Sequence, residues 1–177
     1  MQQRQAAVES IKAPSWIRFV GILGAILIAA LVFYPAVRER NQTYAVRDIV
    51  RFVKAHPQQF LGRSNSATET QLPHVKTRNG QLFLPWDGSL EIRAAYVGTS
   101  TEGQERTTYL NLQFTQVPSG VCLRAASEAA IEGANTISIN GKEVFPGEVF
   151  DSEVAAGACS EQSNLLLVRL VSRAGNP

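Results

Sequence analysis

The 177-residue chain holds two cysteines, two histidines and one methionine, and that scarcity removes several kinds of chemistry at once. Cys122 and Cys159 form no CxxC, and His56 and His74 belong to no HExxH and no Cys/His cluster. Neither a zinc site nor a thioredoxin-like pair therefore has the ligand spacing it needs. GxSxG, GxxxxGK[ST] and GxGxxG are all missing, which leaves no nucleophile elbow and no glycine-rich phosphate cradle. Glu102 and Glu105 stand close together, but in a glycine-containing stretch with no wall around it, so they make no glycosidase-like pair. No cofactor and no catalytic residue is expected. The formal net charge is +2, too small for the field that nucleic-acid binding requires, and no repeat or low-complexity tract is present.

The sequence is also short of long apolar runs, with one exception. Phe19 to Val37, FVGILGAILIAALVFYPAV, is 19 residues without a charge. At helical rise it is long enough to cross about 28 Å of hydrocarbon. The residues before it, 1–18, are polar and mildly basic, and Pro14 stops any helix running through them. The run continues through Tyr34-Pro35 into arginines with no small-residue cleavage motif, which reads as an uncleaved anchor rather than a signal peptide. Trp16 suits the membrane interface. Gly21, Ala25 and Ala29 recur every four residues and give a face almost without side chains, on which a second helix could approach closely. The same residues are common in spans that have no partner.

After Pro35 the pattern becomes amphipathic. Val46, Ile49, Val50 and Val53 fall at i, i+3, i+4 and i+7, with Arg47, Asp48, Arg51 and Lys54 on the other side. Pro57 ends the pattern, because the residue before a proline is pushed out of the helical region. With Pro35 tolerated as it is in membrane helices, 19–56 reads as one long helix: 19–37 membrane-spanning, 38–56 amphipathic and packed on a globular body at 57–177. His56 fits the helix end, where the dipole favours a cation. The basic residues after the run, Arg38, Arg40, Arg47, Arg51 and Lys54, fit a solvated helix face with snorkelling side chains, or a lipid headgroup or partner site.

Gly62 to Thr70 reads as a polar loop. Strands are expected over Gln81–Leu84, Leu90–Tyr96, Thr107–Thr115, Thr136–Ile139 and Asn164–Val171, punctuated by the turn dipeptides Asn79-Gly80, Asp87-Gly88 and Asn140-Gly141. A helix is expected over Gly120–Ile131, with Gly133 as its stop. The fold class is therefore α+β, a long N-terminal helix on a mostly antiparallel sheet. Trp86 could be a ligand platform or a core residue with its indole N–H satisfied.

The cysteines admit two readings. A disulfide would enclose 36 residues and contribute about 3 to 4 kcal/mol by loop entropy; the alternative is two buried thiols in a reducing cytosol. Topology is contested too. Arg4, Lys12 and Arg18 precede the run, whereas five basic residues follow it, and by the positive-inside rule the body would be cytoplasmic. A disulfide places it outside, and the cysteines are followed here.

Four segments then carry a resemblance. PWDGSLEI, FTQVPSGVC, ISINGKEV and ACSEQSNLLLVRL follow one another in the order and spacing of type IVb pilin heads. The sequence resembles the plasmid conjugative thin-pilus pilins and their toxin-coregulated and bundle-forming relatives. The resemblance implies a disulfide between Cys122 and Cys159 bounding the C-terminal region, and structural roles for Trp86, Pro118, Asn140, Gly141 and Asn164. It implies a non-enzymatic subunit of a type IVb pilus or a related conjugation or secretion filament, polymerising through its apolar helix. Its partners would be other pilin subunits, the inner-membrane assembly machinery and membrane lipid. It would reside in the bacterial inner membrane with a periplasmic head, then on the cell surface. One departure stands out. Family members carry a glycine before the mature end and a glutamate shortly into the helix, whereas here Arg18 abuts Phe19 and the run holds no acid, which points to a minor or atypical subunit. The alternative is a permanently anchored envelope protein whose pilin-like head binds a partner or ligand.

Overall fold

The computed structural model describes residues 15–61, 72–97 and 107–173. The polar segment 1–14, the loop at Gly62–Thr70 and the Glu102/Glu105 pair lie outside them. Helix α1 (Ser15–Ala55) has 41 residues with Pro35 inside it, and begins directly after Pro14, four residues before the expected start. It ends at Ala55, one residue short of the expected 56. His56 leaves the helical region (φ −129°, ψ 51°) ahead of Pro57, and a 3-10 turn, Pro57–Gln59, follows.

The chain divides into two compact units, Met1–Arg38 and Glu39–Pro177. In the first, ten large apolar side chains between Val20 and Val37 are each 55–70% exposed. Among the described residues, α1 is the helix long and apolar enough to cross a membrane, by length and composition. In the second unit, Ala45, Val46, Ile49, Val50 and Val53 are completely buried, the face that the helical spacing predicts.

Among the described residues the sheet has seven strands: β1 (Lys76–Arg78), β2 (Gln81–Phe83), β3 (Ser89–Val97), β4 (Thr107–Pro118), β5 (Thr136–Ile139), β6 (Lys142–Phe145) and β7 (Ser163–Arg173). Their order is β1-β2-β3-β4-β7-β5-β6, and every pairing is antiparallel. Helix α2 (Ser119–Ile131) joins β4 to β5, and α3 (Ser152–Ala158) joins β6 to β7. Alternation assigns the faces. Ile92, Leu112, Val168 and Ile137 stand in one row across four strands and are buried, while their sequence neighbours Arg93, Asn111, Arg169 and Ser138 are not. A one-residue slip would turn the whole row to solvent, so burial fixes the register.

The α+β class with its antiparallel sheet holds. Three elements were not expected from sequence: β1, β6 and α3. Strand β4 also runs three residues beyond its expected end, because it is bulged between Phe114 and Val117 and then resumes pairing with β7. Cys159 caps α3, and β7 starts at Ser163, one residue before the expected Asn164.

Candidate functional site

Six of the head residues singled out by sequence lie around the end of β4. Cys122, in the first turn of α2, is bonded to Cys159 at the end of α3, with Cα atoms 5.8 Å apart. The pairing expected from the resemblance is the one present. Asn140 takes the left-handed conformation (φ 50°) with Gly141 behind it (φ 81°), as the two-residue turn between β5 and β6 demands. That turn aims the Asn140 amide back at the sheet. Its Nδ2 donates to the Ala158 carbonyl at 2.9 Å and to Asn164 Oδ1 at 2.8 Å, while its Oδ1 accepts from Leu165 N at 2.8 Å.

Asn164 is the most enclosed polar residue of the group, 1% exposed. Its Nδ2 donates to the Val117 carbonyl at 3.1 Å and to the Glu161 carbonyl at 2.8 Å. Two carbonyls on one side and a donor on the other fix which way the amide points. Two asparagines thus join the bulge in β4, the β5–β6 turn, the end of α3 and the start of β7. Pro118 is the last residue of β4 and the N-cap of α2, so it turns the chain from the clamp toward Cys122.

Trp86 sits on the other flank of the bulge. It lies in the β2–β3 connection, not at a strand start, and is 7% exposed. Its indole N–H donates to the Thr115 carbonyl at 2.9 Å, which is the core reading with the polar atom satisfied. Gly88 makes that contact possible: a Cβ there would lie 2.0 Å from the Thr115 oxygen and 2.5 Å from Trp86 Nε1. Thr115 is a residue that sequence reasoning missed. Its hydroxyl accepts from Ser89 N at 2.8 Å, and Gln116 beside it adopts φ 54°, the conformation that makes the bulge. The Thr-Gln pair carries no glycine or asparagine to signal it.

The match to a family profile decides what this head is. The PilS N-terminal family matches residues 67–171, more than half of the chain and every head residue described above. The chain belongs to the PilS family of type IVb pilins. The pilin is also similar to the crystal structure of a type IVb pilin from Salmonella typhi, at 15% identity and a TM-score of 0.49, covering 70% of this chain and 93% of the other. No curated protein sequence matches it. The family is structural rather than enzymatic, and its members serve as pilus subunits.

Within this pilin, the amphipathic part of α1 is joined to α2 by charge. Arg51 grips Glu132 through two of its nitrogens, Nε donating to Oε2 at 3.0 Å and Nη2 to Oε1. Lys54 Nζ donates to the Glu132 carbonyl at 2.9 Å, supplying a proton to the end of α2. Hydrogen bonding from Arg51 holds the Glu132 carboxyl below the usual range. Nearby, Asp48 is lowered as well: partial burial opposes its ionisation, but hydrogen bonds from His74 and Arg47 outweigh that. Sequence placed Arg47, Asp48, Arg51 and Lys54 on a solvated face. Arg51 and Lys54 are exposed and the other two half-buried, and the partners Glu132 and His74 were not foreseen. His56 Nδ1 lies 3.1 Å from the Phe52 carbonyl, consistent with a place at a helix end. Gly21, Ala25 and Ala29 all lie within α1; Ala25 and Ala29 are exposed, and the role of this face belongs with the function of that helix.

Proposed function

We propose that this pilin is a minor or atypical subunit of a type IVb pilus or related conjugation or secretion filament, stored in the inner membrane and polymerised through the apolar part of α1. The observation that carries this is the exposed run from Val20 to Val37. Leaving a large apolar side chain in water rather than burying it costs about 1.5–3 kcal/mol. Ten of them come to roughly 15–30 kcal/mol, more than the ~5–15 kcal/mol that holds a whole domain together. The run therefore needs a cover, lipid before assembly and other copies of the helix afterwards.

The small face of Gly21, Ala25 and Ala29 suits close helix approach in such a bundle. The disulfide favours a periplasmic head and then the cell surface, since such bonds persist in oxidising compartments. The basic residues after the run argue for the opposite topology, and a periplasm-active reporter fused after Pro177 decides between them. Arg18 directly before Phe19, and the lack of an acid from Phe19 to Val37, set this chain apart from a major subunit. Assembly would require the inner-membrane pilus machinery and no cofactor.

The deciding experiment is the mature N-terminus by mass spectrometry, on material from sheared filaments and from the inner membrane. A form shortened at its N-terminus in the filament fraction supports the proposal. Intact Met1 confined to the inner membrane overturns it and leaves a permanently anchored protein whose head binds a partner.

A further inference from the structure

The head carries three turn dipeptides ending in glycine, and the structure treats them differently. An asparagine followed by glycine can cyclise: the glycine amide nitrogen loses its proton and attacks Asn Cγ. The new N–Cγ bond replaces the Cγ–Nδ2 bond, and ammonia leaves with the proton. Water then opens the succinimide at either carbonyl, giving aspartate or isoaspartate. The reaction needs a free side-chain amide, room for the ring and a backbone able to swing into the attacking geometry.

At Asn140-Gly141 the first requirement fails. Both atoms of the Asn140 amide are engaged, Nδ2 with Ala158 and Asn164 and Oδ1 with Leu165 N, and the turn sits beside the Cys122–Cys159 bond. At Asp87-Gly88, which could form the same ring, the third fails: the Thr115 oxygen and the Trp86 indole close on the Gly88 backbone, 2.0 and 2.5 Å from where a Cβ would stand. Asn79-Gly80 meets all three requirements. Asn79 and Gly80 are exposed, nothing lies within 4 Å of a Cβ at Gly80, and the Asn79 amide makes no hydrogen bond among the described residues. The turn closes the hairpin of β1 and β2, three residues each. Strand β1 is the edge of the sheet and wholly exposed. A short edge hairpin opens locally far more cheaply than the domain unfolds.

We infer that Asn79 is a site of spontaneous succinimide formation on the folded head, converting to aspartate and isoaspartate, while the chemically equivalent Asn140 is protected by its hydrogen bonds. The product places a carboxylate beside the exposed Arg78 and, as isoaspartate, adds a backbone atom to a two-residue turn. That breaks the Arg78–Gln81 pairing and frees β1 from the sheet. Time outside the cell would thus alter one sheet edge of each head and leave the disulfide-bounded region intact.

The test uses the full-length, oxidised chain in detergent micelles, held at mildly alkaline pH. Deamidation and isoaspartate at each position are followed by peptide mass mapping. The same chain, reduced and unfolded in denaturant, gives the reference rates at both dipeptides. Conversion in the folded chain is expected to be roughly tenfold or more faster at Asn79 than at Asn140, with the two close to each other in the unfolded chain. Asn164→Ala, which frees one of the Asn140 contacts, should narrow the gap. Equal rates at the two positions in the folded wild-type chain, faster conversion at Asn140, or no conversion at Asn79 while the unfolded chain converts, would each overturn the inference. None of these outcomes depends on whether the pilin polymerises.

Discussion

Asn140 Nδ2 donates to Asn164 Oδ1 at 2.8 Å, so that a hairpin turn and the first residues of the last strand share one hydrogen bond across 24 positions of sequence. Four backbone groups, the carbonyls of Val117, Ala158 and Glu161 and the N–H of Leu165, end on the same two side chains. The energetic weight falls on Asn164, because it is almost fully enclosed and no water can replace it. Truncation would orphan the Val117 and Glu161 carbonyls and the inner N–H of Asn140. Val117 is fully buried whereas Glu161 and Asn140 are exposed, so one to two of these groups incur the about 1–3 kcal/mol of a buried group left without a partner; Asn164→Ala should cost about 2–4 kcal/mol, with Asn164→Asp costing nearly as much because it removes both donors. Urea denaturation of the oxidised protein measures it. A loss under about 0.5 kcal/mol, the range of ordinary surface substitutions, would show that the network carries no weight.

The bulge at Thr115 and Gln116 makes a second, sharper expectation. Gly88 is not left-handed; it is a glycine because the Thr115 carbonyl and the Trp86 indole occupy the space where a side chain would stand. Gly88→Ala must therefore break the indole hydrogen bond or move β4, at a cost of about 2 kcal/mol or more. Trp86→Phe removes the donor and leaves part of the indole's volume unfilled, for about 1–3 kcal/mol or more. In the double variant the two costs should not add, since the first change already destroys what the second removes. Additive losses in a double-mutant cycle would mean that Gly88 serves something other than Trp86.

Acid should loosen the join between α1 and α2. Glu132 has its carboxyl lowered from the ordinary 4.5 by Arg51, and Asp48 is lowered from 3.8. A carboxylate depressed in the folded state contributes stability that is complete above its ordinary value and lost as pH falls through the depressed one. Stability should therefore be level near neutrality and decline below about pH 4.5. Glu132→Gln should be less stable at neutral pH and show a shallower decline. Denaturant midpoints for both proteins across that range check the sign: curves that converge toward low pH support the pairing, and parallel curves refute it.

What could be seen in the sequence was whatever periodicity and turn chemistry record. The buried face of α1, the central strands and the Asn140-Gly141 turn were visible because apolar alternation and Asn-Gly pairs are local signals. Strand β1, Lys-Thr-Arg, was not: all three residues are exposed, so no alternation marks it, and only pairing to β2 makes it a strand. Strand β6 followed a recognised turn but is four residues long, with burial confined to Val144 and Phe145. Helix α3 has seven residues with Gly157 inside it, below the length at which a stripe can be read. Its one signal was Asp151, whose carboxylate accepts from Glu153 N and Val154 N as an N-cap does. Trp86 and Asn164 could be named from their motif, yet their partners are carbonyls of an irregular stretch, and backbone oxygens leave no trace in a sequence.

The apolar run and the small face make separable demands, which gives the last prediction. Ile26→Lys places a charge in the middle of the span, where insertion costs about 2.5–3.5 kcal/mol per such residue, and should weaken membrane retention and assembly together. Ala25→Leu keeps the segment apolar, so insertion should be unchanged or slightly better. It fills the face over which a neighbouring helix would come close, where packing rather than hydrophobicity supplies the attraction. If α1 is bundled with its own kind, Ala25→Leu should leave the pilin in the membrane at wild-type levels and remove it from sheared filaments. Leu27→Ile, an exchange of similar volume on the opposite side of the helix from Ala25, should do neither. Fractionation followed by immunodetection of both pools distinguishes the variants. Normal recovery of Ala25→Leu in filaments would mean that the face is unused and that α1 packs, if it packs, through its larger side chains.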